Sequence, residues 1–447
     1  MAPEPAGRGV TALTRTPARG ALVVLTAVAL AAIGFVAVHK QVRDGNDFPL
    51  YWQAARDLMS GRSPYDVTSG LHGYVYLPWF ALLLGPLALL PLPAAAAGWY
   101  AANLVFLALA IRALLDALGS VVPAGRTRVL VLATLPLAGL IHDNLVLGQA
   151  NLLLLLLVAA TVQGAWAPRT NWAHGIPLGL AAALKMPAAI LLLPLVLRAR
   201  GRAMLGFVAG VVLALALPLL TTGAPAGARL LRDWHAKVIA PALAGTLQGS
   251  RTIDQSPHAA LRRLLVDEPA YSGHAVNVAA LDPEAFARIS RVTALVLLAG
   301  YALVWLVAPA RHTRRALLLD LALGCCAMVQ VTGFNLKAQF VVLLLPAWLG
   351  TTLAWSARER VARGLLVAAG VLFVGSQPGV VGRSLSNLLL AYSAMTLGTL
   401  LLAAALARLR FTTPGTDDVS AAAARGARVT PLPSAAPAGA PAPGTAR

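Results

Sequence analysis

Twelve runs of Leu, Ala and Val, broken by short arginine-bearing gaps, constrain this chain more than anything else in it. They lie near 21–38, 77–93, 95–113, 127–142, 147–163, 175–197, 203–221, 290–308, 316–334, 338–355, 361–377 and 386–408. Each approaches the roughly 20 apolar residues that carry a helix across a bilayer. In hydrocarbon only a helix or a closed barrel satisfies its own backbone, and runs of this length, without alternation, predict helices. Only 12% of the residues are charged, about half the usual share of a soluble domain. The expected class is an all-α polytopic membrane protein with about twelve transmembrane helices.

The net charge of +19 comes from 32 Arg and 4 Lys against 17 acidic residues. The arginines sit between apolar runs, which is the pattern of orientation by basic loops and argues against nucleic acid as partner. The expected cytoplasmic clusters are Arg198/Arg200/Arg202, Arg311/Arg314/Arg315, Arg358/Arg360/Arg363 and Arg408/Arg410. With twelve crossings, Arg112, Arg126 and Arg128 then fall on the opposite side, against the rule. The first run is longer than a signal-peptide core, so an uncleaved anchor is expected, although Ala27-Val28-Ala29 resembles a cleavage site. Cys325 and Cys326, adjacent in an apolar run, read as buried small hydrophobes.

The expected organisation is a basic cytoplasmic N-terminus (1–20), a transmembrane domain (21–410) and a cytoplasmic tail (411–447) too poor in apolar residues to fold. Two long loops, 39–76 and 222–288, are expected outside and should contain short helices. No internal repeat is evident, which weighs against inverted-repeat transporters.

The first loop is the densest polar and aromatic segment: "DGNDFPLYWQAARDLMSGRSPYD", residues 44–66. Phe48, Tyr51, Trp52, Ala55, Leu58 and Met59 recur at helical spacing and predict a surface helix over 48–60. Asp47 stands just before it. There it suits an N-cap and equally a general base that takes a proton from an attacking sugar hydroxyl. Asp44, Asp57 and Asp66 read as solvated or turn residues.

"NDFPLYWQAARDLMSGRSPYD" followed by "YVYLPWFALLLGPLALLP", with "LGQANLLLLLL" (147–157), "GLAAALKMPAAILLLP" (179–194) and "DQSPHAALRRLL" (254–265), resembles glycosyltransferase family 87 in order and spacing. The resemblance covers about residues 44–265. It implies a GT-C-type membrane fold, a polyprenyl-phosphate sugar donor (mannosyl or arabinofuranosyl), a lipid or glycan acceptor, and transfer at the outer face of the plasma membrane by inverting displacement. It also implies a first-loop acidic residue as catalytic base, which falls on Asp47. Many members carry a histidine late in the chain. Here the corresponding stretch, "TGFNLKAQFVVLLLP" (332–346), has none, and Lys337 or Gln339 is the candidate replacement.

A leaving polyprenyl phosphate gains negative charge, and preorganised cations stabilise it in a dry site. Lys185 and Lys337 interrupt apolar runs, where an ionised residue costs about 2.5–3.5 kcal/mol on insertion scales. With Arg251 and Arg262 they are the phosphate-binding candidates. The structural alternative for the lysines is snorkelling or a buried ion pair with a carboxylate such as Asp143 or Asp320; for the arginines it is a solvated loop charge. Candidates for sugar or acceptor binding are Tyr51, Trp52, Tyr76, Gln149, Gln255, Ser256, His258 and Gln339. Gln149 and Asn151 suit helix–helix hydrogen bonds equally well. No convincing metal-ligand spacing is present and no cofactor is expected; the sequence does not establish a metal requirement. The competing reading is a transporter or flippase for lipids or sugars that uses the buried lysines as its path; a third is an envelope scaffold without turnover.

Overall fold

The computed structural model describes residues 16–44, 47–66, 73–119, 121, 127–166, 171–198, 200–243, 253–268, 270, 273–309 and 313–412. Residues 1–15 of the basic N-terminus and 413–447 of the tail lie outside them. Every regular element among the described residues is helical. Among the described residues, seven helices are long and apolar enough to cross a membrane: Val24–Asp44, Leu92–Leu118, Arg128–Leu147, Ala203–Thr222, Pro283–Val307, Lys337–Ser356 and Ala394–Thr412. The apolar helices Asn151–Gly164, Ala173–Leu184 and Met186–Leu197 are shorter. Arg314–Gln330 and Arg360–Gly375 complete the bundle. Cys325 and Cys326 are free and buried in it.

The apolar runs 77–93 and 175–197 break or fold back instead of forming one straight helix. Over 77–93, Pro78, Pro86, Pro91 and Pro93 break the backbone ladder. The run folds instead into the short helices Pro78–Leu83 and Gly85–Ala88. Trp52 donates its indole N–H to Leu90 O at 3.1 Å, so these short helices lie beside the first-loop helix.

The run 175–197 turns back on itself. A Cβ built on Gly175 would lie 2.0 Å from Ala203 O, and one on Gly179 would lie 2.2 Å from Phe207 O. Ala173–Leu184 and Ala203–Thr222 therefore start side by side and run parallel, backbone against backbone. Gly206 and Gly210 complete the seam, at 2.0 Å from Trp172 O and 2.4 Å from Ile176 O by the same construction. This is close packing through small residues four apart. Since Ala203 is level with Gly175, the chain between them must rise and return. Twelve helical residues advance about 18 Å, short of the roughly 30 Å of hydrocarbon. Lys185 occupies the turn of this re-entrant hairpin, in extended conformation (φ −143°, ψ 109°) between a helix and a 3-10 segment.

These two departures restore the charge asymmetry. Arg314 donates to Ala117 O at 3.1 Å and Asp116 O at 3.0 Å. The C-terminal end of Leu92–Leu118 thus lies at the same end of the bundle as the arginine clusters. The expected placement of Arg112 and Arg128 opposite those clusters is corrected: one presumed crossing is absent and another returns to its own side. Arg126 lies outside the described residues. The same end holds a buried charge cluster. Asp320 is fully buried and accepts from Arg198 Nε at 2.6 Å and Arg410 Nε at 2.9 Å. This ties the re-entrant hairpin to Arg314–Gln330 and to the last helix.

Candidate active site

The far end of the bundle is capped by the helix Asp47–Met59, close to the expected 48–60. Phe48, Tyr51, Ala55 and Leu58 are buried as the spacing predicts. Phe48 stacks on Trp99 with ring centroids 5.8 Å apart. Met59 is 53% exposed instead. Trp52 turns to the helix flank, where the Arg56 guanidinium lies 4.7 Å from its ring centre. Asp57 is not a surface residue: it is buried and accepts from Gln53 Nε2 at 3.1 Å and from Arg62 Nε at 3.0 Å. Polar contacts also hold the segment that follows this helix. Ser63 donates to Asp233 at 2.7 Å, Lys237 pairs with Asp66, and Trp234 donates to Val75 O at 3.3 Å.

Asp47, at the start of the helix, points its carboxylate into the bundle. Its Oδ2 accepts from Gln149 Nε2 at 2.7 Å. Gln149 is placed by Gly148, which ends Ala138–Leu147 in the left-handed conformation (φ 68°). Glycine is required there twice over. Few other residues adopt that φ cheaply, and a Cβ would lie 2.7 Å from Phe48 Cβ. The turn then presents Gln149 and Asn151 to each other. Asn151 Nδ2 donates to Gln149 Oε1 at 2.5 Å, and Lys185 Nζ donates to Asn151 Oδ1 at 2.7 Å. A continuous polar line therefore runs Lys185–Asn151–Gln149–Asp47.

Asp47, Gln149 and Lys185 edge a cavity of about 330 Å³ that Tyr51, Tyr76 and Gln339 also line, with apolar walls. That is near the lower bound of the roughly 300–1,000 Å³ of small-molecule sites. Met186, 57% exposed, lies on the rim beside Lys185. The Tyr51 and Tyr76 hydroxyls are 3.1 Å apart. Burial holds both phenols well above their ordinary range, and the nearby Asp47 charge adds to this. Both phenols are therefore neutral at physiological pH. Thr332 and Asn335 also line the cavity. Sequence reasoning passed over them, although they are polar residues in the same "VTGFNLKAQ" stretch that holds Gln339.

Other candidates are placed elsewhere. Lys337 is ion-paired with Asp143 at 2.9 Å and bonds Gln377 Oε1 at 3.2 Å. It takes the structural alternative: its ammonium turns away from the cavity that its neighbours Leu336 and Gln339 line. Arg262 pairs with Glu268 and lies 5.6 Å from the Phe286 ring. His258 bonds Ser290 Oγ at 2.7 Å. Gln255 is fully buried and donates to Leu390 O at 3.0 Å. Ser256 caps the helix Pro257–Leu265. None of these four is among the cavity residues, because the segment 254–263 is a structural knot. Asp254 Oδ1 accepts from Ser256 N and Asn335 N, both at 2.8 Å, and Arg263 donates to Asp254 O at 2.5 Å. Burial raises the Asp254 carboxyl above its ordinary range against the lowering effect of these donors. Arg251 lies outside the described residues.

The family model for glycosyltransferase family 87 matches residues 74–332. That window contains Gln149, Asn151 and Lys185, and it begins after Asp47. The chain is also 29% identical to the polyprenol-phosphate-mannose-dependent alpha-(1-2)-phosphatidylinositol mannoside mannosyltransferase of Mycobacterium tuberculosis, over 74% of this chain and 76% of that protein. No solved structure matches.

Proposed function

From the premise that this chain belongs to glycosyltransferase family 87, we propose that it transfers a mannosyl unit from a polyprenyl-phosphate donor to a glycolipid acceptor. The donor and acceptor classes follow those in the name of the mycobacterial relative. The arginine-rich end is cytoplasmic by the positive-inside rule, so Asp47 and Lys185 face the outer side. The fold is of GT-C type.

The observation that carries this reading is that Asp47 and Lys185 line one cavity, two side-chain amides apart. The acceptor hydroxyl attacks the anomeric carbon while Asp47 takes its proton. The bond between that carbon and the phosphate oxygen breaks, and its electron pair leaves with polyprenyl phosphate. The growing charge is met by the Lys185 ammonium. One displacement inverts the anomeric centre. The donor's isoprenoid chain leaves the cavity past Met186 into lipid. Transport is disfavoured as the alternative by the family membership.

The test is transfer of radiolabelled mannose from polyprenyl phosphate to phosphatidylinositol mannosides in proteoliposomes. Asp47→Asn is expected to abolish transfer while donor binding persists. Retention of transfer by Asp47→Asn would remove the general-base assignment, and transfer from arabinofuranosyl donor alone would replace the sugar.

A further inference from the structure

Asparagine and glutamine side chains have a donor end and an acceptor end, and both ends of the line through Gln149 and Asn151 are chemically fixed. Lys185 can only donate and ionised Asp47 can only accept. Asn151 must therefore turn Oδ1 to the ammonium, which turns its Nδ2 to Gln149. Gln149 must then accept at Oε1 and donate from Nε2 to Asp47. The three bonds run at 2.7, 2.5 and 2.7 Å in that sense. Reversing either amide would set N–H against ammonium or carbonyl against carboxylate. Gln149 is 3% exposed and Asn151 is fully buried.

We propose that Gln149 and Asn151 are positioning residues, a one-way amide relay through which Lys185 fixes the orientation and ionised state of Asp47. Bonds to charged partners at each end strengthen one another along such a chain. The relay keeps the acceptor-side base aimed and charged while the donor-side cation is in place, so the two halves of the site are assembled as a unit. Tyr51 and Tyr76, from the segment that carries the first-loop helix, and Lys185, from the re-entrant hairpin, are titratable groups coupled electrostatically to Asp47. Only Lys185 is joined to it through the amides. The catalytic consequence rests on the transferase reading above; the relay itself does not.

The experiment is an infrared pH titration of the full chain in nanodiscs, with the Asp47 carboxyl band assigned as the one lost in Asp47→Asn. Gln149→Leu removes the final donor and is expected to raise the Asp47 midpoint by at least about one pH unit. Asn151→Asp keeps a partner for Lys185 but is acceptor-only. It draws the Gln149 amide group toward itself and leaves the Gln149 carbonyl facing Asp47. It should therefore raise the midpoint more than Asn151→Ala does. In the transfer assay, kcat should fall about 10- to 100-fold for Gln149→Leu at unchanged donor KM, with the acid limb of the pH profile moved upward. Packing alone would predict the opposite order, Asn151→Asp being milder than Asn151→Ala. That order, or an Asp47 midpoint unmoved in Gln149→Leu, overturns the relay. If Asn151→Asp fails to fold, Gln149→Leu decides alone. A wild-type chain that titrates as expected but transfers no mannose would overturn the mannosyltransferase reading and leave the relay standing.

Discussion

Lys185 rests its ammonium on the side-chain carbonyl of Asn151 at 2.7 Å, whereas Lys337 meets the carboxylate of Asp143 at 2.9 Å. In sequence the two lysines look alike: each interrupts an apolar run and each directly precedes or opens a 3-10 segment. A lysine held by a neutral amide at a cavity wall keeps its charge available to an anion. One held by a carboxylate has spent it on the fold.

Replacing Lys185 should therefore damage chemistry more than stability. Lys185→Met is expected to lower kcat about 10²- to 10³-fold, the range for removing one preorganised donor to a developing anion. Transfer kinetics beside a thermal unfolding curve would separate the two effects. A fall in melting temperature large enough to explain the lost activity would contradict the assignment.

Lys337 should show the reverse. Lys337→Met leaves Asp143 with only His142, at 3.7 Å, in a site where the Lys337 and Asp143 side chains are 19% and 25% exposed. The loss should lie below the roughly 3–5 kcal/mol of breaking a fully buried pair. The double variant Lys337→Met/Asp143→Leu should recover much of that stability. A double-mutant cycle by thermal unfolding reads the coupling, and the folded double variant should retain transfer.

Gly148→Ala tests the turn that presents the amides. The left-handed backbone costs a residue with a Cβ about 1–2 kcal/mol, and contact with Phe48 Cβ at 2.7 Å adds to it. Reduced stability together with reduced transfer is expected, because Phe48 lies one residue from Asp47. Normal transfer in this variant would show that the site tolerates displacement of the first-loop helix.

Gly210→Leu should prevent assembly of the re-entrant hairpin. Its Cβ would meet Ile176 O at 2.4 Å, and a backbone atom cannot swing aside as a side chain can. Fluorescence-detected size exclusion of the solubilised protein should show loss of the monodisperse peak. Leu213→Ala, on the same helix and 49% exposed, is the control expected to behave as wild type.

Asp57→Ala addresses a residue that the sequence places at the surface. Arg62 and Gln53 would lose their acceptor near the end of the first-loop helix. Removing one partner of such hydrogen bonds costs about 1–3 kcal/mol. Hydrogen exchange over residues 47–62 should accelerate, and a protected amide pattern unchanged from wild type would refute the role.

The amino-acid sequence by itself determined the class of the protein and the helix that carries Asp47. Run length and helical spacing are local properties, set by the cost of exposing backbone to lipid and by one apolar face on a 13-residue helix. It also held the glycines four apart at 175, 179, 206 and 210, a signal of close helix contact that hydropathy does not read. What only the tertiary structure decided was direction and partnership. Hydropathy is the same for a run that crosses and a run that turns back, so the return at Lys185 emerges only when Gly175 is seen against Ala203. Likewise an ammonium in an apolar stretch must find a partner, but which one depends on the neighbours that packing brings within 3 Å. Folding gave Asp143 to Lys337, gave Asp320 to Arg198 and Arg410, and joined Lys185 through two amides to the carboxylate of Asp47.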